Sequence, residues 1–591
     1  MDDSANGTDK DIRGLIDCAM GRRPADLVLV GGRIVNVVSN EIVEGDVGIL
    51  GDRIVGIGRY EAGATIDLKG RYVCPGFIDA HVHIESSLLS VPEYAQVVVG
   101  CGTTAVVADP HEFANVMGAE GISFVLKTAK HAPIDVFVML SSCVPASPLE
   151  SAGAELSAED LEPFLANSWV LGLAEMMNYP GVISAADDVL EKLRMSRGRV
   201  LDGHAPSLSG ASLTAYSSAG IMSDHECVTA DEAREKLRCG LHIMIREGSQ
   251  TRNLKALLPL VTPATAERFM FCTDDKDVRD LIEEGHIDFM IRTAIAEGLD
   301  PILAVRLATY NTARYFGLRD RGAILPGYRA DLTVVEDLAS CRVTDVVRRG
   351  RLVVKGGVSV EEPDADADRK PPRPLRSSIN THWIEVSDFE IAAPSDSSGA
   401  PPEIHVIHVL DNRIDSERSV EPARVHEGRL AADASRDLAK MVVVERHRAS
   451  GEIGRGFVRG FQLQSGAIAS TVAHDAHNLI VVGMSDEDMH VAAIRLVKCH
   501  GGLVVVRDAQ VLAEAPLPIA GLVSDRPAGQ VADELRRLSE AAKELGCRLE
   551  QPFMALSFMS LSVIGKLKLT NLGLIDVESF RCISLIADDS A

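Results

Sequence analysis

Eight short apolar segments alternate with helical patterns between Tyr72 and Gly317, and this alternation restricts the fold more than any other feature of the chain. Strands that alternate with helices along a chain form parallel sheets, and eight such units are the number that closes an α/β barrel. We therefore predict a (β/α)8 TIM-like barrel of the α/β class. The predicted strands are Gly76–Asp79, Thr104–Ala108, Ile134–Leu140, Val170–Ala174, Val200–Gly203, Gly220–Ser223, His242–Ile245 and Phe269–Thr273.

Short strand-like segments also lie on both sides of the predicted barrel. One pair before the barrel is separated by Gly51 and Asp52, as in a β-hairpin. We infer that the two flanks form one small β-sandwich domain and that the barrel is inserted in it. The segments are Leu27–Val30, Ile34–Val38, Val47–Leu50 and Ile54–Ile57 before the barrel, and Asp331–Val335, Asp345–Val347 and Arg351–Val354 after it.

The length of 591 residues indicates several domains. Ile12, Leu15, Ile16 and Ala19 recur at helical spacing and predict a short N-terminal helix. A polar, proline-rich stretch at 361–374 is typical of a linker. The predicted domains are 1–72 (N-terminal helix and first part of the small β domain), 73–320 (barrel), 321–360 (second part of the small β domain), 361–376 (linker) and 377–591 (C-terminal α+β domain).

Two helices are well marked in the C-terminal domain. Ser485 can cap the first of them, because Asp488 lies three residues further on and two glycines, Gly501 and Gly502, follow its end. The second helix carries apolar residues at helical spacing, at Val531, Leu535, Leu538, Ala542 and Leu545.

The composition restricts the partners and the compartment. A formal charge of −25 repels phosphate backbones, so we expect no nucleic-acid partner. No stretch is apolar enough for a membrane span, and the N-terminus lacks the pattern of a signal peptide. The 11 cysteines contain no CxxC pair, which is typical of a reducing compartment, and we predict a cytoplasmic protein.

The segment from Phe77 to His83, with the sequence FIDAHVH, carries the strongest chemical signal. Residues two apart on a strand point to the same side, so His81 and His83 would both face the mouth of the barrel, where barrel active sites lie. Two imidazoles at that spacing can bind one metal ion, although an HxH pair by itself is weak evidence for a site.

Four further residues follow predicted strands in the same way. Glu175 follows the fourth strand, His204 the fifth, His225 the sixth and Asp274 the eighth. Because the carboxyl ends of parallel strands meet at one rim of a barrel, we expect these side chains to lie close to the HxH pair. The sequence therefore predicts one metal site built from six residues.

The order of an HxH pair, a strand-four carboxylate, two histidines and an aspartate resembles the amidohydrolase superfamily, whose members often place the barrel inside a small β domain. That resemblance covers about residues 25 to 356. A closer resemblance, to the bacterial adenine deaminases, spans nearly the whole chain. It rests on the motifs HVHIESS at 81–87, DPHE at 109–112 and AHDAHN at 473–478.

The resemblance implies a metal-dependent hydrolase with two divalent ions per chain. The family implies Fe2+ or Mn2+, with Zn2+ as an alternative, and imidazole with carboxylate ligands suits all three. Many relatives carry a carbamylated lysine at the strand-four position, where Glu175 supplies a bridging charge without modification. The implied ligands are His81, His83 and Asp274 for one ion, His204 and His225 for the other, and Glu175 as the bridge.

The implied reaction is the hydrolytic deamination of adenine to hypoxanthine and ammonia, a step of purine salvage. A divalent ion lowers the pKa of bound water from about 15.7 toward 7, so a metal-bound hydroxide would attack C6 of the purine. Asp274 is the candidate that accepts its proton and passes it to the ring and the leaving amine. Glu85 stands where dihydroorotases carry an arginine for an acidic substrate, so we predict that Glu85 contacts a neutral purine or shuttles a proton in catalysis. A glutamate at the surface, or one that only supports other site residues, is the alternative that stays open.

Other polar residues follow the second and seventh predicted strands and are candidates for substrate binding. Salt bridges within loops would explain the same residues equally well. The histidine pair His474 and His477 has no nearby cysteine that would complete a set of zinc ligands. The pair could form a second metal site, a lid over the barrel or an ordinary turn, and we favour a lid or structural role. The substrate-binding candidates are His111, Glu112, Arg246, Glu247 and Ser249.

Two alternative functions stay open. One is another amidohydrolase that acts on a different purine or a cyclic amide, and the other is a non-catalytic barrel scaffold, which would purify without stoichiometric metal. The zinc deaminases that pair HxE with PCxxC are excluded, because the chain does not carry this pair of motifs. We expect a small purine base as the substrate and a homodimer or higher homo-oligomer, with no nucleic-acid or membrane partner.

Overall fold

The structure is a computed structural model that describes residues 12–360, 373–376, 378–394 and 401–587. Most of the predicted linker at 361–376 lies outside these residues, and 373–376 form the short helix Arg373–Arg376. Among the described helices, none combines the length and the apolar character that crossing a membrane requires.

The N-terminal flank contains a helix and five strands. Residues 12–19 form the helix α1, which buries Cys18 but leaves Ile12 and Ile16 about half exposed, at 51% and 52%. The apolar spacing therefore predicted the helix. The side of the helix that is buried, however, is not the side that carries Ile12 and Ile16. The strands are β1 (Ala25–Asn36), β2 (Glu41–Leu50), β3 (Arg53–Ile57), β4 (Ala62–Asp67) and β5 (Tyr72–Pro75).

All eight segments predicted as barrel strands overlap strands that pair in parallel, although the sixth, Gly220–Ser223, overlaps its two-residue strand only at Ser223. They form a five-stranded and a three-stranded sheet. Backbone hydrogen bonds join the two sheets on both sides, from Met222 N to Leu201 O (2.9 Å) and from Asp274 N to His81 O (3.0 Å). The strands are β6 (Phe77–Val82), β7 (Thr103–Ala108), β8 (Asp135–Leu140), β9 (Val170–Met176), β10 (Val200–Gly203), β11 (Ser223–Asp224), β12 (His242–Arg246) and β13 (Phe269–Cys272).

Helices follow the barrel strands, as the alternating pattern predicts. Their apolar residues pack against the outside of the strands, as Tyr94 and Val98 do in the first of them. The helices are α2 (Val91–Gly100), α3 (His111–Met117), α4 (Ala119–Thr128), α5 (Ala158–Leu161), α6 (Tyr179–Ile183), α7 (Asp187–Met195), α8 (Gly210–Ser218), α9 (Ala230–Arg238), α10 (Leu254–Leu257), α11 (Val278–Glu283), α12 (Ile287–Ala296), α13 (Pro301–Leu307) and α14 (Tyr310–Tyr315).

Four strands after the barrel return to the N-terminal sheet. They pair through β5, where Cys74 lies opposite Thr333, so that both flanks form one nine-stranded sheet. The strands of the two flanks form one sheet, and the β-sandwich form of this domain stays a prediction. The returning strands are β14 (Leu332–Val335), β15 (Val343–Arg348), β16 (Arg351–Lys355) and β17 (Val358–Ser359).

The C-terminal region contains a mixed eight-stranded sheet with helices packed on it. The two predicted helices are confirmed: Ser485 caps the first by accepting a hydrogen bond from Asp488 N (3.2 Å), and the second buries Val531, Leu535 and Leu538. The helices are α15 (Arg373–Arg376), α16 (Asp486–Lys498), α17 (Ala528–Glu544) and α18 (Pro552–Ser557).

Besides the eight-stranded sheet, the described part of the C-terminal region contains a two-stranded and a three-stranded sheet. The strands are β18 (Glu403–Val409), β19 (Ser416–Pro422), β20 (Arg424–His426), β21 (Arg429–Ala431), β22 (Ala439–Val444), β23 (Ile453–Arg459), β24 (Ala467–Ser470), β25 (Leu479–Gly483), β26 (Gly502–Arg507), β27 (Gln510–Pro516), β28 (Leu567–Thr570), β29 (Gly573–Asp576) and β30 (Arg581–Ile583).

A buried carboxylate joins the bottom of the barrel to the returning flank. Asp135, at the start of β8, accepts hydrogen bonds from Arg321 (2.7 Å), Arg348 (2.8 Å) and Arg349 (2.7 Å). Burial by itself would raise the pKa of Asp135, but Arg321 and the other arginines hold this pKa well below its ordinary value. Asp135 therefore stays ionised and balances the charge of Arg321, Arg348 and Arg349, which come from a distant part of the chain.

Replacing Asp135 by Asn should destabilise the protein by about 3 kcal/mol, because it leaves buried arginines without a counter-charge. Since the pKa of Asp135 is lowered on folding, the stabilisation is present at neutral pH and is lost as the pH falls below the ordinary value of 3.8. Urea unfolding at pH 7 measures the change. The matched control is Asp320→Asn, which removes an exposed ion pair with Arg53 and should cost less than about 1 kcal/mol of stability. Equal losses of stability in the two variants would contradict the role given to Asp135.

Candidate metal centre

The six predicted ligand residues meet at one rim of the barrel. They lie in or directly after five different strands, and because the carboxyl ends of parallel strands face the same way, their side chains converge. All are buried, with no more than 7% of any residue exposed. The six are His81 and His83 (at the end of β6), Glu175 (in β9), His204 (after β10), His225 (after β11) and Asp274 (after β13).

One half of the centre surrounds His83 Nε2. This atom lies 3.1 Å from His81 Nε2, 3.2 Å from Glu175 Oε1 and 3.2 Å from Asp274 Oδ1. Asp274 has a φ of 56°, a left-handed conformation that few residues other than glycine adopt and that recurs at functional sites. The turn after β13 thus places the Asp274 carboxylate beside the histidine pair of β6.

The other half surrounds Glu175 Oε2. This oxygen lies 2.6 Å from His204 Nδ1 and 3.1 Å from His225 Nε2. The two oxygens of one carboxylate therefore face two separate groups of ligands, which is the arrangement of a bridging ligand.

The donor atoms fit a pair of divalent cations. Ligands about 2.0–2.2 Å from a metal ion lie about 3.0–3.5 Å apart at tetrahedral or octahedral angles, and the nitrogen–oxygen distances from Glu175 and Asp274 to their nearest histidines run from 2.6 to 3.5 Å. Imidazole and carboxylate without thiolate suit Fe2+, Mn2+ or Zn2+. His204 Nε2 is also buried without a hydrogen-bond partner among the described residues, which costs about 1–3 kcal/mol unless a further group binds there.

The electrostatics of the centre keep both carboxylates ionised. Burial by itself would raise the pKa of Glu175, but His204 and hydrogen bonds from His111 and His225 lower it well below its usual range. Burial likewise opposes ionisation of Asp274, whose pKa is nevertheless lowered by its hydrogen bonds with the β6 histidines and by Arg246. Two ionised carboxylates in a water-poor site favour the binding of cations, and metal binding would displace protons from the histidines.

Buried polar residues fix the strand ends that carry the ligands. His204 N donates to Tyr216 Oη (2.9 Å), and the Tyr216 hydroxyl donates to the Met176 carbonyl (2.7 Å), which ties the ends of β9 and β10 together. Asp79 accepts a hydrogen bond from Thr273 N (3.1 Å), which joins the first barrel strand to the last.

Arg246, predicted to bind substrate, contacts the centre itself. Its Nη1 donates to Asp274 Oδ2 (2.9 Å), and its guanidinium makes a two-point ion pair with Glu226. Sequence reasoning missed Glu226, although it directly follows His225 at the end of a barrel strand. Glu226 and Arg246 together orient Asp274 and balance its charge.

Two predicted substrate-binding residues lie on α3. His111 Nδ1 is 3.3 Å from Glu175 Oε1 and 3.2 Å from Asp109 Oδ2, and Glu112 contacts His474 of the C-terminal region. Both residues line the cavity at the centre.

Three other predicted residues make local contacts and do not line that cavity. Glu85 accepts a hydrogen bond from Phe113 N (3.2 Å), and burial together with Glu112 raises the pKa of Glu85 to about 7. Glu247 accepts from Leu254 N (3.1 Å), and Ser249 Oγ accepts from Asp277 N (2.9 Å). The substrate-binding roles of Glu85, Glu247 and Ser249 stay predictions.

The centre opens into a cavity whose far wall belongs to the C-terminal region. The sequence indicated polar residues at the barrel mouth, and a lid was among the roles considered for His474. It carried no signal for the apolar residues of this wall, because their spacing does not show which surface faces the barrel. The wall residues are Ile414, His474, Asp475, Phe558, Leu561 and Ile564.

Comparison with known proteins matches both parts of this site. Residues 72–353 match the amidohydrolase family, and residues 413–581 match the adenine deaminase C-terminal domain. The chain is 48% identical over 573 residues to an adenine deaminase of Desulfatibacillum aliphaticivorans (97% of this chain, 99% of the relative). It is 47% identical over 568 residues to an adenine deaminase of Brucella anthropi (96% of this chain, 98% of the relative).

Among solved structures, a β-aspartyl dipeptidase from Fervidobacterium islandicum is similar to part of the chain. The match has 15% sequence identity and a TM-score of 0.43, and it covers 57% of this chain and 99% of the dipeptidase.

Replacing Arg246 by Gln should weaken metal binding by about 10- to 100-fold, because the residues that orient metal ligands contribute that much to affinity. Titration of the metal-free protein with Mn2+, followed by the electron paramagnetic resonance of free Mn2+, measures the affinity. Arg252→Gln removes a nearby cation that pairs with Glu284 outside the centre and is the matched control. Equal Mn2+ affinity in wild type and Arg246→Gln would show that the contact with Asp274 does not support the centre.

Proposed function

Because this chain belongs to the amidohydrolase family and within it to the adenine deaminases, we propose that it converts adenine to hypoxanthine and ammonia at a two-metal centre. The observation that carries the two-metal proposal is Glu175, whose two oxygens lie 3.2 Å from His83 Nε2 and 2.6 Å from His204 Nδ1. One buried carboxylate between two ligand groups supports a bridged pair of ions better than a single ion.

The proposed ligands divide into two sets that share Glu175. Divalent ions supply Lewis-acid chemistry when bound, lowering the pKa of water from about 15.7 toward 7. Fe2+ or Mn2+ is the proposed native ion, and Zn2+ suits the same donors. The sets are His81, His83 and Asp274 for one ion, and His204 and His225 for the other.

Asp274 is the proposed general base and acid of the reaction. Its Oδ2 accepts a hydrogen bond from Arg246, and its Oδ1 lies 3.2 Å from His83 Nε2, on the side where the metal-bound water would react. Asp274 accepts one proton as water adds to C6 of adenine and delivers it to the ring nitrogen N1. It then takes the second proton from the hydroxyl on C6 and delivers it to the amine, so that C6=O forms, the exocyclic C6–N bond breaks and ammonia leaves. Adenine and water thereby give hypoxanthine and ammonia with no other reactant.

The charge balance of the cavity supports a neutral substrate. Arg246 is the one arginine among the described residues that line the cavity, and it is already paired with Glu226 and Asp274. The described lining residues therefore offer no unpaired arginine or lysine to a substrate carboxylate, which disfavours the cyclic acidic amides that other amidohydrolases open. Phe558, Leu561 and other apolar residues of the wall suit the face of an aromatic base.

The remaining proposals concern the cellular setting. We propose a step of purine salvage, because the proposed substrate and product are free purine bases. We place the reaction in the cytoplasm, because all 11 cysteines lie in the described part of the chain and none of them forms a disulfide there. A homodimer or higher homo-oligomer stays a prediction.

Asp274→Asn should lower kcat/KM for adenine by about 10²- to 10⁴-fold, because the amide cannot transfer the proton. Ammonia release from adenine measures the rate, and thermal unfolding checks that the fold is retained. Asp231→Asn, at an exposed helix position, is the control and should be fully active. Full activity of a folded Asp274→Asn variant would rule out the proposed proton transfer.

Removal of the metal ions by a chelator should abolish deamination, and added Mn2+ or Fe2+ should restore it. The same assay run with adenine, adenosine and guanine tests the substrate. Turnover of metal-free protein would overturn the metal mechanism, and faster turnover of another purine would replace adenine as the substrate.

A further inference from the structure

A second buried cluster of metal-ligand side chains lies between the barrel and the C-terminal region. His111 and Glu112 begin α3, and His474, Asp475 and His477 lie in the connection between β24 and β25. Each of the five is buried, with at most 6% exposed. The proposed deamination does not use the three residues from the C-terminal region.

Four donor atoms of this cluster converge on one point. Glu112 Oε1 lies 2.7 Å from His474 Nδ1 and 3.2 Å from His111 Nε2. Asp475 Oδ1 lies 3.6 Å from His474 Nδ1 and 3.7 Å from His111 Nε2. These separations are close to the roughly 3.0–3.5 Å between ligands of one ion bound at about 2.0–2.2 Å.

Two of the four convergent atoms lack hydrogen-bond partners. Among the described residues, His111 Nε2 and Glu112 Oε1 are buried and make no hydrogen bond, and the same holds for Oδ2, the other oxygen of Asp475. His111 Nε2 and Glu112 Oε1 lie 3.2 Å apart, so their failure to bond reflects their orientation and not their distance. Buried polar atoms without partners cost about 1–3 kcal/mol each, and a cation bound between them would satisfy His111 Nε2 and Glu112 Oε1 at once.

The remaining contacts hold the ligands in position. Ala473 N donates to His477 Nδ1 (3.1 Å), which places the proton of a neutral His477 ring on Nε2, and this nitrogen contacts Glu112 Oε2. One Glu112 oxygen is therefore occupied and the other is free, as for a carboxylate ligand held by a second residue. On its other side, His111 Nδ1 faces Asp109 and Glu175 of the two-metal centre.

We propose that His111, Glu112, His474 and Asp475 bind a third divalent cation, next to the two-metal centre. Two imidazoles and two carboxylates without thiolate select an ion of the Fe2+, Mn2+ or Zn2+ class. Since two ligands come from the barrel and two from the C-terminal region, the ion fixes the wall of the cavity to the catalytic domain.

The third site is tested by metal stoichiometry of the full-length protein. Protein freed of metal by a chelator is incubated with excess Mn2+, separated from free ion by gel filtration and measured by inductively coupled plasma mass spectrometry. Wild type should retain three Mn2+ per chain, and His474→Gln and Asp475→Asn should each retain two. His408→Gln, at a half-buried histidine of β18 outside both clusters, is the control and should retain three.

Two results overturn the third site: a wild-type protein that saturates at two Mn2+, or three Mn2+ in both folded cluster variants. If the variants do not fold by circular dichroism, the stoichiometry of wild type decides. Failure of this proposal is separate from failure of the proposed function. Two Mn2+ with adenine turnover removes the third site alone, whereas three Mn2+ without turnover of adenine removes the deaminase proposal alone.

Discussion

Glu175 holds a negative charge where water cannot solvate it, and the arrangement around it follows from that constraint. An unpaired buried carboxylate would become protonated, because burial disfavours the charged form. Histidines approach both of its oxygens, at 3.2 Å on one side and 2.6 Å on the other, and they keep it ionised. Protons or metal ions can supply the compensating positive charge, and the same geometry accommodates both.

The barrel provides this geometry because its strands end at one rim. Ligands that are almost 200 residues apart along the chain meet because β6 and β13 are neighbours, joined by the hydrogen bond from Asp274 N to His81 O (3.0 Å). The flanking sheet stabilises the opposite end, where Asp135 pairs with arginines from beyond the barrel. The predicted metal ligands thus lie at the carboxyl ends of the barrel strands, and the ion pairs of Asp135 that stabilise the fold lie at the opposite end.

The C-terminal region completes the site that the barrel begins. Phe558 and Leu561 form an apolar wall opposite the ligands, and His474 approaches Glu112 within 2.7 Å. A cavity closed by a second domain excludes water and strengthens the electrostatic interactions inside it. Access of substrate therefore depends on contacts between the two domains as well as on the barrel mouth.

Some of these features were predictable from the sequence, because they depend on local pattern. Alternating apolar segments predicted the eight barrel strands, and a ligand type directly after a strand predicted His204, His225 and Asp274 at the rim. The helix at 485–498 was predictable from its Ser485 cap. Other local patterns were less informative: the apolar spacing of 12–19 indicated a helix but not which side of it is buried.

The sequence by itself determined the periodicity of the elements and the identity of the side chains at their ends, since both depend on residues near each other in the chain. Only the tertiary structure decided that Glu226 pairs with Arg246, that Glu85 turns toward the backbone of α3, and that His474 meets Glu112. Those contacts depend on how whole domains pack and on which way each side chain turns. Packing of that kind is set by the shape and charge of distant surfaces, which no local spacing of residues records.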